Sequence, residues 1–422
     1  MSSEWASLTI GDLVRDGEAS VQTGPFGSQL HSHDYVVSGT AVIPTEAIGR
    51  GRILDIPVPR VDAAKASELS RHRLRLGDIL FARRGAQATG LSAIVDERFE
   101  GALCGTGALL LRVQSPRVDP RYLAMYLSSE TAYGWLRTHA VGAVMPNLNT
   151  AIVQALPISF PGIQEQQRIA RFVGVLDDRI TLLRETNVTL EAIAQALFKS
   201  WFVDFDPVRA KMEGRAPEGM DEATAALFPD ALEESELGWV PKGWLPIRLD
   251  SFLELAYGKA LKAENRIPGP VPVYGSGGIT GWHEKPLIDS PSIIVGRKGT
   301  VGSLYWESRP FYPIDTVFYV KAKRPLTYCH QLLKTLGLHD MDTDAAVPGL
   351  NRENVYRLLV PDAPANVLAV FDASANALRN SIDHSEAQAQ TLSTLRDTLL
   401  PRLISGQLRL SDTMAEMPME AA

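Results

Sequence analysis

Ile163 opens the stretch IQEQQRIARFVGVLDDRITLLRETNVTLEAIAQALFKSW, which closes at Trp201. From Val173 onward, apolar or small residues fall at Leu176, Ile180, Leu183, Asn187, Leu190, Ala194, Leu197 and Trp201. The steps alternate three and four, a heptad seam with one polar member, Asn187. Such a seam predicts one long helix packed along another, with the Asn setting register at some cost in stability. A helix of about 40 residues spans roughly 60 Å at 1.5 Å per residue.

The chain holds a second copy of this seam. A shift of 202 positions pairs Leu176 with Leu378, Ile180 with Ile382, Leu190 with Leu392 and Leu197 with Leu399. Ser385 and Ala389 replace Leu183 and Asn187, so the second seam is thin in its middle. Each rod follows a block of similar design. Trp5, Leu8, Ile10, Leu13 and Val14 return as Trp244, Ile247, Leu249, Phe252 and Leu253. Ile79-Leu-Phe-Ala-Arg-Arg-Gly85 returns as Ile293-Ile-Val-Gly-Arg-Lys-Gly299, and Leu148-Asn149 as Leu350-Asn351. The same features in the same order, twice, are an internal duplication of two domains.

Short apolar runs at Thr40–Ile43, Asp78–Phe81, Ser92–Val95 and Ala108–Val113, punctuated by Gly, Pro and Asp, predict a β-rich block. Tyr122 to Thr138 has the spacing of a single helix with Leu123, Tyr126, Leu127 and Trp135 inward. The fold class is therefore α+β. It has a first globular domain over 1–162, a first spacer helix over 163–205 and an acidic connecting segment over 206–243. A second domain covers 244–362, a second spacer helix 363–405 and a tail 406–422. The connecting segment reads as an extended strap with packed turns at Leu227-Phe228 and Trp239-Val240. The tail beyond Leu410 reads as disordered.

The 422 residues carry a net charge of −7, with 45% apolar and 22% charged residues, ordinary for a globular chain. From Asp206 to Lys242 there are nine acids and four bases, whereas 21–160 and 245–362 each hold more Lys and Arg than Asp and Glu. A basic face on each block is compatible with nucleic acid despite the overall sign. Cys104 and Cys329 stand far apart with no metal or disulfide pattern. The N-terminus lacks the pattern of a signal peptide, and no apolar run approaches the ~20 residues of a membrane span. A cytoplasmic protein with no membrane contact is expected.

Catalytic signatures are missing. The chain has no phosphate-binding G-x-x-x-x-G-K-[ST], and Asp206-Pro207 lacks the rest of an amino-methyltransferase signature. His31-Ser-His33 reads as two polar loop histidines rather than a metal pair. What remains suits binding. Arg83-Arg84-Gly85 and Arg297-Lys298-Gly299 each follow a buried strand and enter a loop, where a basic side chain can reach a guanine edge or a phosphate. Thr23, Gln29, His31 and Asn147 in the first block, and Tyr274, Ser276, Thr280, His283 and Thr300 in the second, are polar loop residues able to read bases. Asn149 and Asn351 are expected to cap or brace the end of each block.

These motifs resemble the DNA-specificity subunit of type I restriction-modification systems over almost the whole chain. The resemblance rests on Thr23-Gly-Pro-Phe-Gly-Ser28, Gly77-Asp-Ile-Leu-Phe-Ala-Arg-Arg-Gly85 and Glu165-Gln-Gln-Arg-Ile-Ala170. To these it adds Phe198-Lys-Ser-Trp-Phe-Val-Asp-Phe205, Pro272-Val-Tyr-Gly275 and Leu399-Leu-Pro-Arg-Leu-Ile-Ser-Gly406. One departure is visible: the second rod begins Pro364-Ala-Asn-Val-Leu, without the pair Glu165-Gln166.

The resemblance implies two target-recognition domains joined by two long helices packed as an antiparallel coiled coil, with a pseudo-two-fold repeat. Each domain would read one half of a bipartite double-stranded DNA site, and the helices would set the gap. It also implies no catalysis by this chain and no cofactor bound to it. Two modification (methyltransferase) subunits would use S-adenosylmethionine on adenine. Restriction/translocase subunits would use ATP and magnesium. Phe172, Phe198 and Phe202, off the seam, are candidates for docking the modification subunits, or for packing against the two domains. The competing reading is a self-contained methyltransferase or nuclease with an unrecognised catalytic domain.

Overall fold

The computed structural model describes residues 5–85, 87–142, 146–341 and 349–410. Two compact units make up the chain: Met1–Ile180 with Gln390–Ala422, and Thr181–Ala389. Two helices of 40 residues each, Ile163–Phe202 and Ala365–Ile404, cross from one unit into the other.

In the first unit, the central sheet has the strand order Ala19–Thr23, Ala108–Val113, Ile79–Ala82, Ser92–Ile94, Gly51–Arg52. The first three junctions are antiparallel and the last is parallel. Ile79–Ala82 is buried throughout, which explains its uninterrupted apolar sequence. A ribbon of Ala6–Thr9 against Pro157–Phe160 brings the start and end of the block side by side.

The second unit repeats this plan. Leu253–Tyr257, Val317–Ala322, Ser292–Gly296 and Leu304–Glu307 form a sheet in that order, all antiparallel. Its closing ribbon pairs Pro246–Arg248 with Leu359–Pro361. Each unit also has a smaller sheet with one parallel junction: Thr40–Ile43 beside Leu103–Cys104, and Val271–Gly275 beside Tyr312–Pro313. The duplication is thus visible as topology in four shared central strands, while Gly51–Arg52 at the edge of the first sheet has no counterpart in the second.

The seam is where the spacing placed it. Val173, Ile180, Leu183, Ala194 and Trp201 are buried on the first helix, and Ile382 and Ala389 on the second. Within the second unit, Glu191 faces Arg379 at 4.0 Å, and the Phe198 and Phe202 rings lie 5.8 and 5.2 Å from Phe371. Numbers rise on one helix as they fall on the other, so the pair is antiparallel. Within the first unit, Arg396 Nη1 meets Asp177 Oδ1 at 2.5 Å, and Leu403 and Ile404 share a core with Ile169, Ala170 and Val173. Asn187 Oδ1 is buried with no hydrogen-bond partner among the described residues. That is the cost of a polar residue in the seam.

Gln166 explains the Glu-Gln motif at the head of the first rod. The side chain is 0% exposed, and all its hydrogen-bonding groups are used. Its Nε2 donates to the carbonyls of Arg117 at 2.7 Å and Pro161 at 2.9 Å, while Oε1 accepts from Asp119 N at 2.9 Å. The second rod, which lacks this glutamine, is tied differently. Thr327 Oγ1 donates to Asp372 at 2.6 Å, and Arg324 takes both oxygens of Asp362 at 2.8 and 3.0 Å.

Three expectations change. Tyr122–Thr138 is not one helix but two, Pro120–Leu127 and Glu130–His139, because Ser129 caps a new start with its side chain on Ala132 N. The strap is folded, not extended: helices Asp206–Met212 and Glu222–Ala226 precede a hairpin, Leu232–Ser235 with Gly238–Pro241. Phe228 and Val240 pack as expected, but Trp239 is exposed. The first rod ends at Phe202, short of the expected 205, and Phe205 takes a left-handed conformation, φ 57°, while its ring packs edge-on against Trp244. Such backbone is costly for a bulky residue, and ring burial offsets it. The tail beyond Leu410 lies outside the described residues.

A buried polar cluster in the second unit ties the rods to helix Leu326–Thr335. Glu191 accepts from Gln331 Nε2 at 2.9 Å and pairs with Lys334, with Arg379 on its far side. Burial alone would raise the Glu191 carboxyl, but hydrogen bonds from Lys334 and Gln331 and the Lys334 charge outweigh it and hold it at about 2. His330 is pushed down to about 3 by burial and then by the Lys334 charge, with Glu191 opposing. Both shifts act in the same sense. A histidine that stays neutral when folded gives stability that is complete above its ordinary 6.5 and is lost as pH falls toward 3. Glu191 adds a loss between 4.5 and 2. We expect chemical denaturation at pH 7.5, 6 and 5 to show acid lability approaching about 1.4 kcal/mol per pH unit. His330→Gln should flatten it, and an unchanged slope in that variant would refute the assignment.

Candidate nucleic-acid interface

In the first unit, the ends of three neighbouring strands converge. Gly24 N donates to Ala108 O at 2.9 Å on one side of the central strand, and Arg83 N donates to Gly107 O at 2.9 Å on the other. Thr23 and Arg83 therefore flank the same turn. Arg83 is half-buried, and its Nε donates to Asn147 Oδ1 at 3.0 Å. Its carbonyl accepts from Leu148 N at 2.8 Å. Arg84, the next residue, is exposed and bridged through its backbone to Asn147. Gly85 has φ 125°, a turn that favours glycine. Four of the expected residues, Thr23, Arg83, Arg84 and Asn147, thus come together, with Arg83 and Asn147 as braces and Arg84 exposed beside the Gly107 turn.

The second unit builds the same corner. Gly258 N donates to Val317 O at 3.2 Å, and Arg297 N to Thr316 O at 2.9 Å. Arg297 O accepts from Leu350 N at 2.8 Å, matching Arg83 and Leu148, and Lys298 is bridged to Gly349. Arg297 is half-buried, its Nη1 on Asp315 O at 2.9 Å, while Lys298, Gly299 and Thr300 are exposed. Gly299 has φ 83°, and a Cβ there would sit 3.3 Å from Ser276 Oγ. Ser303 Oγ donates to Ser276 O at 2.6 Å and Thr300 O at 3.0 Å. Ser276, Lys298 and Thr300 therefore share one surface, and Ser303 locks it. The close approach at Gly24 and Gly258 is also shared. A Cβ would meet Gly105 O at 1.9 Å in the first case and Ile314 O at 2.0 Å in the second.

Other candidates are placed elsewhere. Tyr274 is corrected from base reader to core residue: it is 6% exposed, and its hydroxyl donates to Glu307 at 3.0 Å. Burial, then the Glu307 charge, pushes that phenol up. Gln29 is spent on its own turn, Oε1 accepting from Phe26 N at 3.0 Å. Thr280 is exposed on the hairpin, with its hydroxyl on Val273 O at 3.3 Å, and His283 is buried. His31 is exposed and its ring stacks on His33 at 5.1 Å. Among the described residues no group of three His, Cys, Asp or Glu is placed to hold a metal. Cys104 and Cys329 are free and buried, which pushes both thiols up to about 12. Among the described residues no helix is long and apolar enough to cross a membrane.

Phe198 and Phe202 are corrected as docking residues. Both are buried, at 2% and 7% exposure, among Trp201, Phe205, Phe228, Trp244, Tyr328 and Phe371. The rod's end meets the second unit's core on a face the seam does not define. Phe172 is half-buried against the first unit's core. Asn149 and Asn351 each cap a short helix, accepting from Ile152 N and Glu353 N. Sequence reasoning missed Ser303, Thr89, Tyr257 and Arg352. Thr89 Oγ1 ties Gly85 O at 2.7 Å to Pro146 O at 3.0 Å. Only the position of Tyr257, opposite Thr23 in the repeat, could have signalled it.

Residues 71–192 match the family model described as type I restriction modification DNA specificity domain. The chain is 28% identical to the type I restriction enzyme HindI specificity subunit of Haemophilus influenzae, across 96% of this chain and 100% of that one. It is 25% identical to the MjaIX specificity subunit of Methanocaldococcus jannaschii, across 70% of each. The fold is similar to the crystal structure of the type I restriction-modification S subunit from M. genitalium. The TM-score is 0.56 at 18% identity, covering 95% and 96% of the two chains. The resemblance read from the motifs is borne out.

Proposed function

We infer that this chain, whose relatives along its length are type I restriction specificity subunits, is the sequence-reading subunit of such a system. It supplies recognition and no catalysis of its own. Each domain, over 1–162 and 244–362, reads one half of a bipartite double-stranded site, and the helices set the spacing. Two modification subunits carry S-adenosylmethionine and methylate adenine. Restriction/translocase subunits use ATP and magnesium. The assembly works in the cytoplasm, where its DNA is.

The observation that carries this reading is the basic turn built twice. Arg84 and Lys298 project from corners with the same main-chain bonds, Leu148 N to Arg83 O and Leu350 N to Arg297 O, both 2.8 Å. A braced turn presents a cation at low entropic cost to a groove or phosphate. The test is methylation by the reconstituted modification complex, mapped by sequencing modified adenines. Arg84→Ala should relax one half-site and Lys298→Ala the other, each by roughly 1–3 kcal/mol of discrimination where a bidentate base contact is lost. Equal relaxation of both halves by either variant would overturn the two-reader assignment. Purified chain that methylates or cuts DNA alone would restore the enzyme reading.

A further inference from the structure

We propose that Tyr257, Arg297 and Arg352 form a site for a DNA backbone phosphate in the second domain, one that the first domain lacks. The proposal rests on the DNA-reading assignment above and assigns these residues a part in it.

Tyr257 closes the edge strand Leu253–Tyr257 of the second unit's main sheet and is 51% exposed. Two guanidinium groups lie on its ring: Arg297 at 5.0 Å from the centroid and Arg352 at 4.9 Å. They are therefore at most about 10 Å apart. Among the described residues, the only acid paired with either is Glu353, whose 3.4 Å contact to Arg352 is exposed and hence weak. A ring stabilises each cation somewhat but cannot neutralise two. The set is rich in donors: two guanidinium forks and a phenol. An anionic group with several acceptor oxygens satisfies it, and guanidinium forks match phosphate geometry.

The site is prepared before DNA arrives. Arg297 Nη1 is held on Asp315 O at 2.9 Å, which leaves its other N–H groups to donate. Arg297 O binds Leu350 N, two residues before Arg352, so both arginines hang from one main-chain junction. Little rotamer freedom remains to be lost on binding.

The first domain differs at these places. The matched bonds of Gly24 and Gly258 put Thr23 where the second domain has Tyr257, and the matched Leu148 and Leu350 put Thr150 where it has Arg352. Arg83, the counterpart of Arg297, spends its Nε on Asn147 rather than on an aromatic ring. The second domain thus holds the backbone through a clamp, and the first does not.

The experiment uses the reconstituted modification complex with the full chain, on a cognate duplex and on duplexes altered one base at a time in the second half-site. Affinity is measured from 50 to 300 mM salt. Arg352→Gln should weaken binding by about tenfold on every duplex alike, as for a charged hydrogen bond. It should also lower the slope of log K against log salt by about 0.9, one phosphate's share. Arg352→Lys, which keeps the charge, should keep most of that slope. A loss confined to one base position would make Arg352 a base reader and overturn the proposal. So would an unchanged slope in Arg352→Gln. A wild-type complex that prefers no sequence would instead overturn the DNA-reading assignment itself, so the two failures are distinct.

Discussion

Removing Leu182–Val188 from the first long helix, together with His384–Gln390 from the second, is expected to bring the two methylated adenines closer while both half-site sequences stay the same. Seven residues are two turns of a seam with 3.5 residues per turn, so the apolar faces return to register with a drift of about 20°. Each helix shortens by roughly 10 Å at 1.5 Å per residue. At about 3.4 Å per base pair, that is at most about three base pairs of spacer. The deletion lies between the contacts each unit makes internally: Asp177 with Arg396 in one, Glu191 with Arg379 in the other. Neither is touched. Mapping modified adenines across a host genome reads the result directly. Methylation at the original spacing would remove the helices from any role in measuring distance.

Exchanging residues 245–362 for the equivalent block of a relative is expected to rewrite one half-site completely and leave the other as it was. The block enters and leaves through a single ribbon: Pro246 pairs with Pro361, and Asp362 N donates to Leu245 O at 2.9 Å. No internal strand is cut. The structure adds a condition that the sequence did not suggest. Helix Leu326–Thr335 lies inside the block but faces the rods, with Thr327 on Asp372, Gln331 and Lys334 on Glu191, and Tyr328 against Phe198 and Phe371. A graft that keeps Thr327, Tyr328, Gln331 and Lys334 should fold. One that replaces them leaves the half-buried Glu191 carboxylate without Gln331 and Lys334, with Arg379 alone at 4.0 Å, a loss of about 3 kcal/mol. Change in both half-sites from a well-folded graft would refute modular reading.

The duplication was legible because it is written in strand-plus-turn motifs. Ile79–Gly85 and Ile293–Gly299 keep apolar residues that must fill a core and a glycine that must turn, and both survive divergence. The seam was legible because period 3.5 is a property of one helix. Contacts across the fold were not. Phe198 and Phe202 look free on a heptad count, since that count knows one partner helix and not Tyr328 or Trp244. Tyr274 looks like a loop residue beside Gly275 and Gly277, yet Val271–Gly275 is buried throughout, so its ring had to find Glu307. Ser129 breaks a helix whose apolar spacing runs on through it, because capping acts on backbone N–H groups that periodicity ignores.

What the two domains hold in common at the proposed reading corner is almost wholly main chain. Leu148 N to Arg83 O and Leu350 N to Arg297 O involve no side-chain atom. Gly24 and Gly258 are fixed by the absence of one, since a Cβ would strike a carbonyl within 2.0 Å in either copy. The residues that differ, Thr23 and Tyr257, Arg84 and Lys298, Thr150 and Arg352, are attached to that frame without forming it. Side chains at these positions can therefore differ between the two copies while the frame that carries them is kept. Under the proposed function, a single substitution at one of these positions alters what is recognised with no intermediate that has to fold differently from its parent.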